Sequence, residues 1–326
     1  MMHPTDSEPL RVVELFSGIG SQRMALTLLG IPHEVVAVSE IDTKAMESYE
    51  AIHGPTLNLG DIRGIEHLPQ CDLLTYSFPC TDISIAGLQE GMEEGSGTRS
   101  SLLWEVGRLL ADMIDRDIPP FTLLMENVPA LLGKRFRPDL NRWISRLSDL
   151  GYVSSIAVLN ACDFLIPQHR CRCFMVSARG GLVFRFPSGE PTDLCLGDIM
   201  EDDVPDRYFL PDEKTASYTP SRRTDDGKGL IIDGNLNDPR NLDVWNRIYS
   251  PDGLCPTLTA LSGGGTIPRI NITGRGGGES ASSSSGDRGA DPVRSQAGRR
   301  GAQHPWCVPC TPGRRGSPSC PGLTED

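Results

Sequence analysis

Four short stretches hold residue types that can do chemistry. The first is Ser77-Phe78-Pro79-Cys80, at the end of the β-rich run 72–77. A cysteine is a strong nucleophile once deprotonated, and the proline before it restricts the backbone and so the direction of the thiol. At the end of a parallel strand, Cys80 would face the crevice where open α/β sheets bind ligands. The alternative is one buried thiol among ten cysteines, because cysteine is commonly buried. The second stretch is Glu126-Asn127-Val128-Pro129, at the end of the run 121–126. A carboxyl group there serves as an acid if burial raises its pKa; otherwise it is a solvated glutamate at a strand-ending turn. The third is Gln168-His169-Arg170-Cys171-Arg172, whose alternation puts Gln168, Arg170 and Arg172 on one face of an extended segment. Two guanidinium groups side by side suit an anionic or carbonyl-rich ligand, or they form a basic edge strand in solvent.

The fourth stretch, Phe16-Ser17-Gly18-Ile19-Gly20, would end a first strand and open a helix. Glycines there let a ligand approach the backbone and the helix N-terminus. The dinucleotide fingerprint needs a further glycine at position 23, where Arg23 stands, so a nicotinamide cofactor is disfavoured. Glu40 ends the next strand, where an acid can accept both ribose hydroxyls of a nucleoside, and Asp61 in Gly60-Asp61-Ile62 can read an adenine amino group. Together these features point to a nucleoside cofactor; the alternative is a plain glycine turn with surface acids.

Such residues need a scaffold that brings strand ends together, and the first 180 residues alternate β-rich runs with helical patterns. Strands are predicted at 11–16, 34–39, 72–77 and 121–126, with closing strands near 152–159 and 172–177. Helices are predicted over Ser21–Leu29, Asp42–His53 and Asp139–Leu150. Leu102, Leu103, Val106, Leu109, Leu110 and Met113 recur at helical spacing and define another amphipathic helix. Periodicity weakens from Phe186 to Ile270, where Asp, Pro, Gly and Asn become frequent.

In order, the glycine turn, Pro-Cys, Glu-Asn-Val and Gln-x-Arg-x-Arg resemble the cytosine-5 DNA methyltransferases, continuously from Val12 to Arg172. The resemblance extends to Arg99-Ser100-Ser101-Leu102-Leu103 and to Pro256-Thr257-Leu258-Thr259-Ala260. It implies an α/β fold: a Rossmann-like S-adenosylmethionine domain with a mostly parallel sheet over 1–185, and a small loop- and strand-rich target-recognition domain over 186–270. The implied partner is double-stranded DNA with a flipped cytosine. Residue by residue, the resemblance assigns Phe16, Gly18, Gly20, Glu40, Asp61 and Pro79 to S-adenosylmethionine, with Phe16 against the adenine ring and Pro79 beside the sulfonium. Cys80 is the implied nucleophile. Glu126, Arg170 and Arg172 would grip the cytosine, supported by Asn127 and Gln168. An RNA cytosine methyltransferase is the nearest rival; the region of about 85 residues between Arg172 and Pro256 favours a DNA sequence reader. Within it, Arg222, Arg223, Lys228, Arg240 and Arg247 are candidate phosphate or guanine contacts, or ordinary solvated charges.

Bulk properties narrow the classes further. The chain has 326 residues, 38% of them hydrophobic and 23% charged, a balance that fits about two folded domains. Its formal charge of −12 excludes a basic protein that coats DNA without specificity, and leaves room for a local basic cleft. No run reaches the ~18 apolar residues of a membrane span, and the start, Met1 to Leu10, lacks the pattern of a signal peptide. The expectation is an intracellular, cytoplasmic monomer of prokaryotic or phage type, of the kind found in restriction-modification systems, with reduced thiols. No metal is expected: the six histidines show no ligand pairing, and His304, Cys307, Cys310 and Cys320 lack a second pair. The last 56 residues hold 11 Gly, 8 Ser and 6 Pro with few large apolar side chains, so 271–326 is expected to be a low-complexity, disordered tail. The resemblance implies a Leu-Thr-x-Arg-Glu stretch and a Gly-Asn motif after Pro268; neither follows, and the switch in texture suggests a different reading frame. A second expectation is therefore a catalytically impaired or non-catalytic DNA- and cofactor-binding derivative.

Overall fold

The computed structural model describes residues 8–80, 99–190, 192–201, 203–225, 229–240, 243–258 and 268–272. The chain divides into two compact units, 1–193 and 194–326. In the first, β1 (Leu10–Leu15), β2 (His33–Ser39), β3 (Leu73–Tyr76), β4 (Thr122–Asn127), β5 (Val153–Asn160) and β6 (Cys171–Ala178) build one sheet. Its order is β2-β1-β3-β4-β6-β5. The β1–β2, β1–β3 and β3–β4 pairs are parallel, while β6 runs antiparallel to both β4 and β5. Among the described residues four helices accompany the sheet: α1 (Ser21–Leu28), α2 (Thr43–His53), α3 (Leu103–Asp115) and α4 (Arg137–Asp149). This is a Rossmann-like α/β core.

The central strands carry apolar residues on both faces, as strands covered on both sides must. Val12, Val13, Leu15, Leu74, Tyr76, Leu123 and Met125 are all buried. α3 buries Leu103, Val106, Leu110 and Met113, the i, i+3, i+7, i+10 stripe of one helix face. Leu102 falls outside that helix, in the 3-10 turn Arg99–Leu102 that leads into it. α4 buries Leu140, Trp143 and Leu147, and Trp143 Nε1 donates to the Tyr76 hydroxyl at 3.2 Å, which ties α4 to β3. The helix starts at Arg137, two residues before the predicted Asp139, because Pro138 fits a first turn whose N–H groups have no intrahelical partner. Asp42 caps α2 by accepting from Lys44 N at 2.9 Å and Ala45 N at 3.3 Å. α1 buries none of its eight residues, and Leu28 and the adjoining Leu29 are 75% and 72% exposed.

The first unit extends past residue 185, where sequence texture placed the end of the first domain. Glu190 N donates to Asp163 O at 2.6 Å and Thr192 N to Cys162 O at 3.2 Å, which holds that stretch to the 3-10 turn after β5.

In the second unit, β7 (Thr219–Asp225), β8 (Leu230–Asn235), β9 (Arg247–Tyr249) and β10 (Arg269–Ile270) form a sheet in the order β10-β9-β8-β7. Leu230, Ile232 and Tyr249 make its small core, with Leu254 packed against them. Arg222 and Arg223 lie on the exposed strand β7, and Arg222 pairs with Asp252 at 2.7 Å. Arg240 pairs with Asp238 at 2.7 Å and Arg247 with Asp243 at 3.0 Å. Lys228, Thr259, Ala260, the His304–Cys320 cluster and the tail from 273 onward lie outside the described residues. Among the described residues no helix is long and apolar enough to cross a membrane, and no three His, Cys, Asp or Glu side chains are grouped to hold a metal ion.

Candidate active site

Because β1 to β4 are parallel, their carboxyl ends share one edge of the sheet. Strand order reverses there, with β2 on one side of β1 and β3 on the other, which opens a crevice. The antiparallel β6 begins at that same edge, pairing Cys173 with Asn127 and Phe174 with Glu126. One edge thus receives Phe16 to Gly20, Glu40, Pro79, Cys80, Glu126, Asn127, Arg170 and Arg172.

The glycine turn leaves the sheet abruptly. Phe16, Gly18 and Gly20 have φ of 57°, 55° and 77°, all left-handed, so Phe16 falls outside the strand in which the sequence pattern placed it. Phe16 N donates to Ser39 O at 2.8 Å, which keeps the turn beside the end of β2. Glu40 is built into this turn: Oε2 accepts from Gly18 N, and Oε1 accepts from Ile41 N and Asp42 N, each at 2.9 Å. Asn58 holds the Glu40 backbone from the other side, donating to its carbonyl at 2.9 Å and accepting from its N–H at 3.1 Å.

The two glycines have different reasons to lack a side chain. Among the described residues a Cβ on Gly18 would meet nothing within 4 Å, so the turn is open to a ligand there. A Cβ on Gly20 would lie 2.6 Å from both His53 Nε2 and Tyr49 Cε2. Gly20 therefore makes room for α2, a packing reason for glycine in addition to the ligand approach expected of it. The turn also contains Ser17 Oγ, buried without a hydrogen-bond partner among the described residues. An open cradle at Gly18, a carboxylate beside it and an unsatisfied hydroxyl fit a nucleoside cofactor.

Behind the turn lies a network that sequence reading missed. Glu14 in β1 is fully buried; it accepts from Tyr49 Oη at 2.6 Å and from Arg23 N at 3.0 Å. The second bond ties the first turn of α1 to the strand, which pins both ends of the glycine turn. Arg23 reaches on to Thr56 Oγ1 at 2.9 Å and lies over the Tyr49 ring. Burial pushes the Glu14 carboxyl above its usual range, against the pull of its hydrogen bonds to Tyr49 and Arg23. One signal was visible: a lone acid inside the otherwise apolar run Val12 to Phe16. Asn58 and Asn160, which accepts from Arg170 N at 2.8 Å, had no such signal.

Asp61 caps the 3-10 turn Ile62–Gly64 and is gripped by Arg63, with Nε at 3.0 Å from Oδ1 and NH2 at 2.5 Å from Oδ2. These bonds hold its carboxyl below the usual range. A ligand amino group would have to share or displace that guanidinium.

The reactive groups meet at the ends of β3, β4 and β6. Arg172 Nε donates to Glu126 Oε1 at 2.9 Å, and its NH1 donates to Cys171 O at 2.8 Å. Cys80 is half-buried, and burial pushes its thiol up; Arg172 and Arg170 pull it down, while Glu126 pushes it up. Burial holds Arg170 below the ordinary guanidinium value, and the neighbouring Arg172 adds to this. Asn127 Nδ2 donates to Phe78 O at 3.1 Å, linking the ends of β4 and β3. Pro79 O accepts from Ser100 Oγ at 2.8 Å. Gln168 is half-buried, with its N–H on Ile166 O at 2.6 Å.

This sheet and its glycine turn define a Rossmann-like methyltransferase core. The family model described as C-5 cytosine-specific DNA methylase matches residues 10–279, and the chain belongs to that family. Its methyl donor is S-adenosylmethionine. Type II methyltransferase M2.ScrFI of Lactococcus lactis subsp. cremoris is 33% identical over 309 residues, covering 76% of this chain and 84% of that protein. Orphan methyltransferase M.SssI of Spiroplasma monobiae is 33% identical over 321 residues, covering 80% and 82%. Among solved structures, S. pombe Dnmt2 methyltransferase aligns with a TM-score of 0.51 at 20% identity, over 74% of this chain and 68% of that one. A Spodoptera frugiperda DNMT2 variant aligns with a TM-score of 0.52 at 22% identity, over 65% and 66%. These two show a shared fold.

Proposed function

We propose that the chain transfers a methyl group from S-adenosylmethionine to C5 of a cytosine in a specific DNA sequence, with Cys80 as the covalent nucleophile. The observation that carries this reading is the convergence of Cys80 with Glu126, Arg170 and Arg172 at one sheet edge. Phe16 would lie against the adenine ring, Glu40 would hold the ribose and Asp61 the adenine amino group. Gly18 gives the cofactor its open approach, Gly20 contributes the bend, and Pro79 borders the sulfonium. When bound, S-adenosylmethionine supplies an electrophilic methyl group on a positively charged sulfur.

Cytosine C5 is too weakly nucleophilic to take that methyl unaided. The Cys80 thiolate adds to C6 and pushes electrons toward C5. Glu126 would deliver a proton to N3 as negative charge builds there, while Arg172, which pairs with Glu126 in the free chain, and Arg170 would stabilise charge at O2. Once C5 carries the methyl, loss of its proton to a base expels Cys80 and restores the ring. Cysteine suits both steps, being a strong nucleophile and a competent leaving group. The target atom is unreachable inside a duplex, so the base is flipped out at a cost of a few kcal/mol.

The second unit, with its own sheet and exposed arginines on β7, supports DNA over RNA as substrate. A monomer acting on one duplex needs no further subunit in this scheme. The alternative of a weaker or non-catalytic derivative is supported by the sequence after Pro268, which lacks the Leu-Thr-x-Arg-Glu and Gly-Asn motifs that the resemblance implies. Transfer of tritiated methyl groups tests the assignment. Label should enter cytosine-containing duplex DNA, and should not enter RNA, DNA without cytosine, or any substrate of Cys80→Ser. Label in RNA alone would move the substrate to the RNA class. Cofactor binding without transfer would identify a non-catalytic derivative.

A further inference from the structure

Three consecutive residues before Cys80 are each held by a different element. Ser77 Oγ accepts from Gln22 Nε2 of α1 at 3.0 Å. Phe78 O accepts from Asn127 Nδ2 at the end of β4, at 3.1 Å. Pro79 O accepts from Ser100 Oγ, in the 3-10 turn before α3, at 2.8 Å. The last two carbonyls belong to the peptide planes on either side of Pro79, whose ring already restricts φ. Fixing both planes and that dihedral fixes where the Cys80 backbone begins, and so the point from which its thiol projects. Ser100 is fully buried, and a buried hydroxyl is costly unless it is hydrogen-bonded. Asn127 is itself braced, its Oδ1 accepting from Val128 N at 2.8 Å.

We propose that Ser100 is a positioning residue for Cys80: its hydroxyl, acting opposite Asn127, locks the peptide planes around Pro79 so that the thiol meets C6 of the target base. The proposal rests on Cys80 as the nucleophile, so its test carries a readout that needs neither DNA nor turnover. That readout is the rate at which iodoacetamide alkylates Cys80 in the full chain, resolved by peptide mass spectrometry. Losing one hydrogen bond of about 1 kcal/mol should loosen the loop and raise Cys80 alkylation in Ser100→Ala about fivefold. The buried Cys71 and Cys173 should keep their slow rates. Covalent trapping on duplex DNA containing 5-fluorocytosine should slow about tenfold, with the affinity for S-adenosylmethionine unchanged. Ser100→Thr, which keeps the hydroxyl, should restore both rates.

Unchanged Cys80 alkylation in Ser100→Ala would overturn the proposal. So would faster alkylation of all three cysteines together, which marks general loosening, or faster Cys80 alkylation with trapping at the full rate. If the unaltered chain fails to trap, the nucleophile reading fails, and the alkylation rates still decide whether Ser100 clamps the loop.

Discussion

Replacing Gly20 and Gly18 separately by alanine distinguishes a glycine needed for packing from one needed for a ligand. Both residues have left-handed φ, 77° and 55°, so each alanine costs roughly 1–2 kcal/mol in backbone strain alone. At Gly18 nothing more is added, because its Cβ would meet no atom within 4 Å. At Gly20 the Cβ would lie 2.6 Å from both His53 Nε2 and Tyr49 Cε2. α2 must shift to relieve those contacts, and overpacking of this kind costs about 1–3 kcal/mol. Gly20→Ala should therefore lose about 2–5 kcal/mol and Gly18→Ala about 1–2. For a domain of this size, 1 kcal/mol lowers Tm by about 2–4 °C. Differential scanning calorimetry reads that contrast, and titration calorimetry with S-adenosylmethionine reads the other. Gly18→Ala should lose more affinity than stability, whereas Gly20→Ala should unfold early and bind through whatever fraction stays folded. Equal melting points for the two variants would refute the packing argument, and undiminished cofactor affinity in Gly18→Ala would refute the open approach.

Arg172→Gln removes the cation that pulls the Cys80 thiol down, so alkylation of Cys80 at neutral pH should slow and its midpoint rise further above the ordinary ~8.5. The same change breaks a partly buried ion pair with Glu126 and should cost about 1–3 kcal/mol of stability; unchanged alkylation would remove Arg172 from the thiol's surroundings. Burial raises the folded-state pKa of Glu14, so the folded chain holds that proton more tightly than the unfolded one. This contribution is complete below the ordinary value of ~4.3 and is lost as pH rises through the raised one. Relative to Glu14→Gln, the unaltered chain should thus lose stability with rising pH in that window; a difference that does not vary with pH in urea titrations would count against it. Glu40→Ala removes the acceptor of three backbone N–H groups and should weaken retention of S-adenosylmethionine, with equal retention placing the ribose contact elsewhere.

Strands and helices were legible where burial imposes a period. The runs 72–77 and 121–126 became β3 and β4, and the leucine stripe became α3, because a buried strand or an amphipathic helix leaves a repeating signature. Ends were less legible, since they depend on single contacts. Phe16 leaves β1 through a left-handed φ, and Pro138 joins α4 because the first turn tolerates it. At the site, Cys80, Glu126 and Arg172 stood out by residue type at strand ends. Their mutual distance depended on β6 running antiparallel to β4, which no local pattern reveals. The supports were least visible: Ser100, Asn58 and Tyr49 act through bonds to residues 18 to 35 positions away in the chain. Arg23, read as the missing third glycine, is a helix residue whose N–H is capped by Glu14.

Cys80, in this mechanism, forms the covalent bond to the base. Incubation with S-adenosylmethionine and duplex DNA containing 5-fluorocytosine, in which C5 cannot lose its substituent, followed by proteolysis and mass spectrometry of the nucleotide-bearing peptide, tests it most directly. The expected result is an adduct on Cys80, absent from Cys80→Ser. An adduct on any other residue, or one that survives Cys80→Ser, would contradict it.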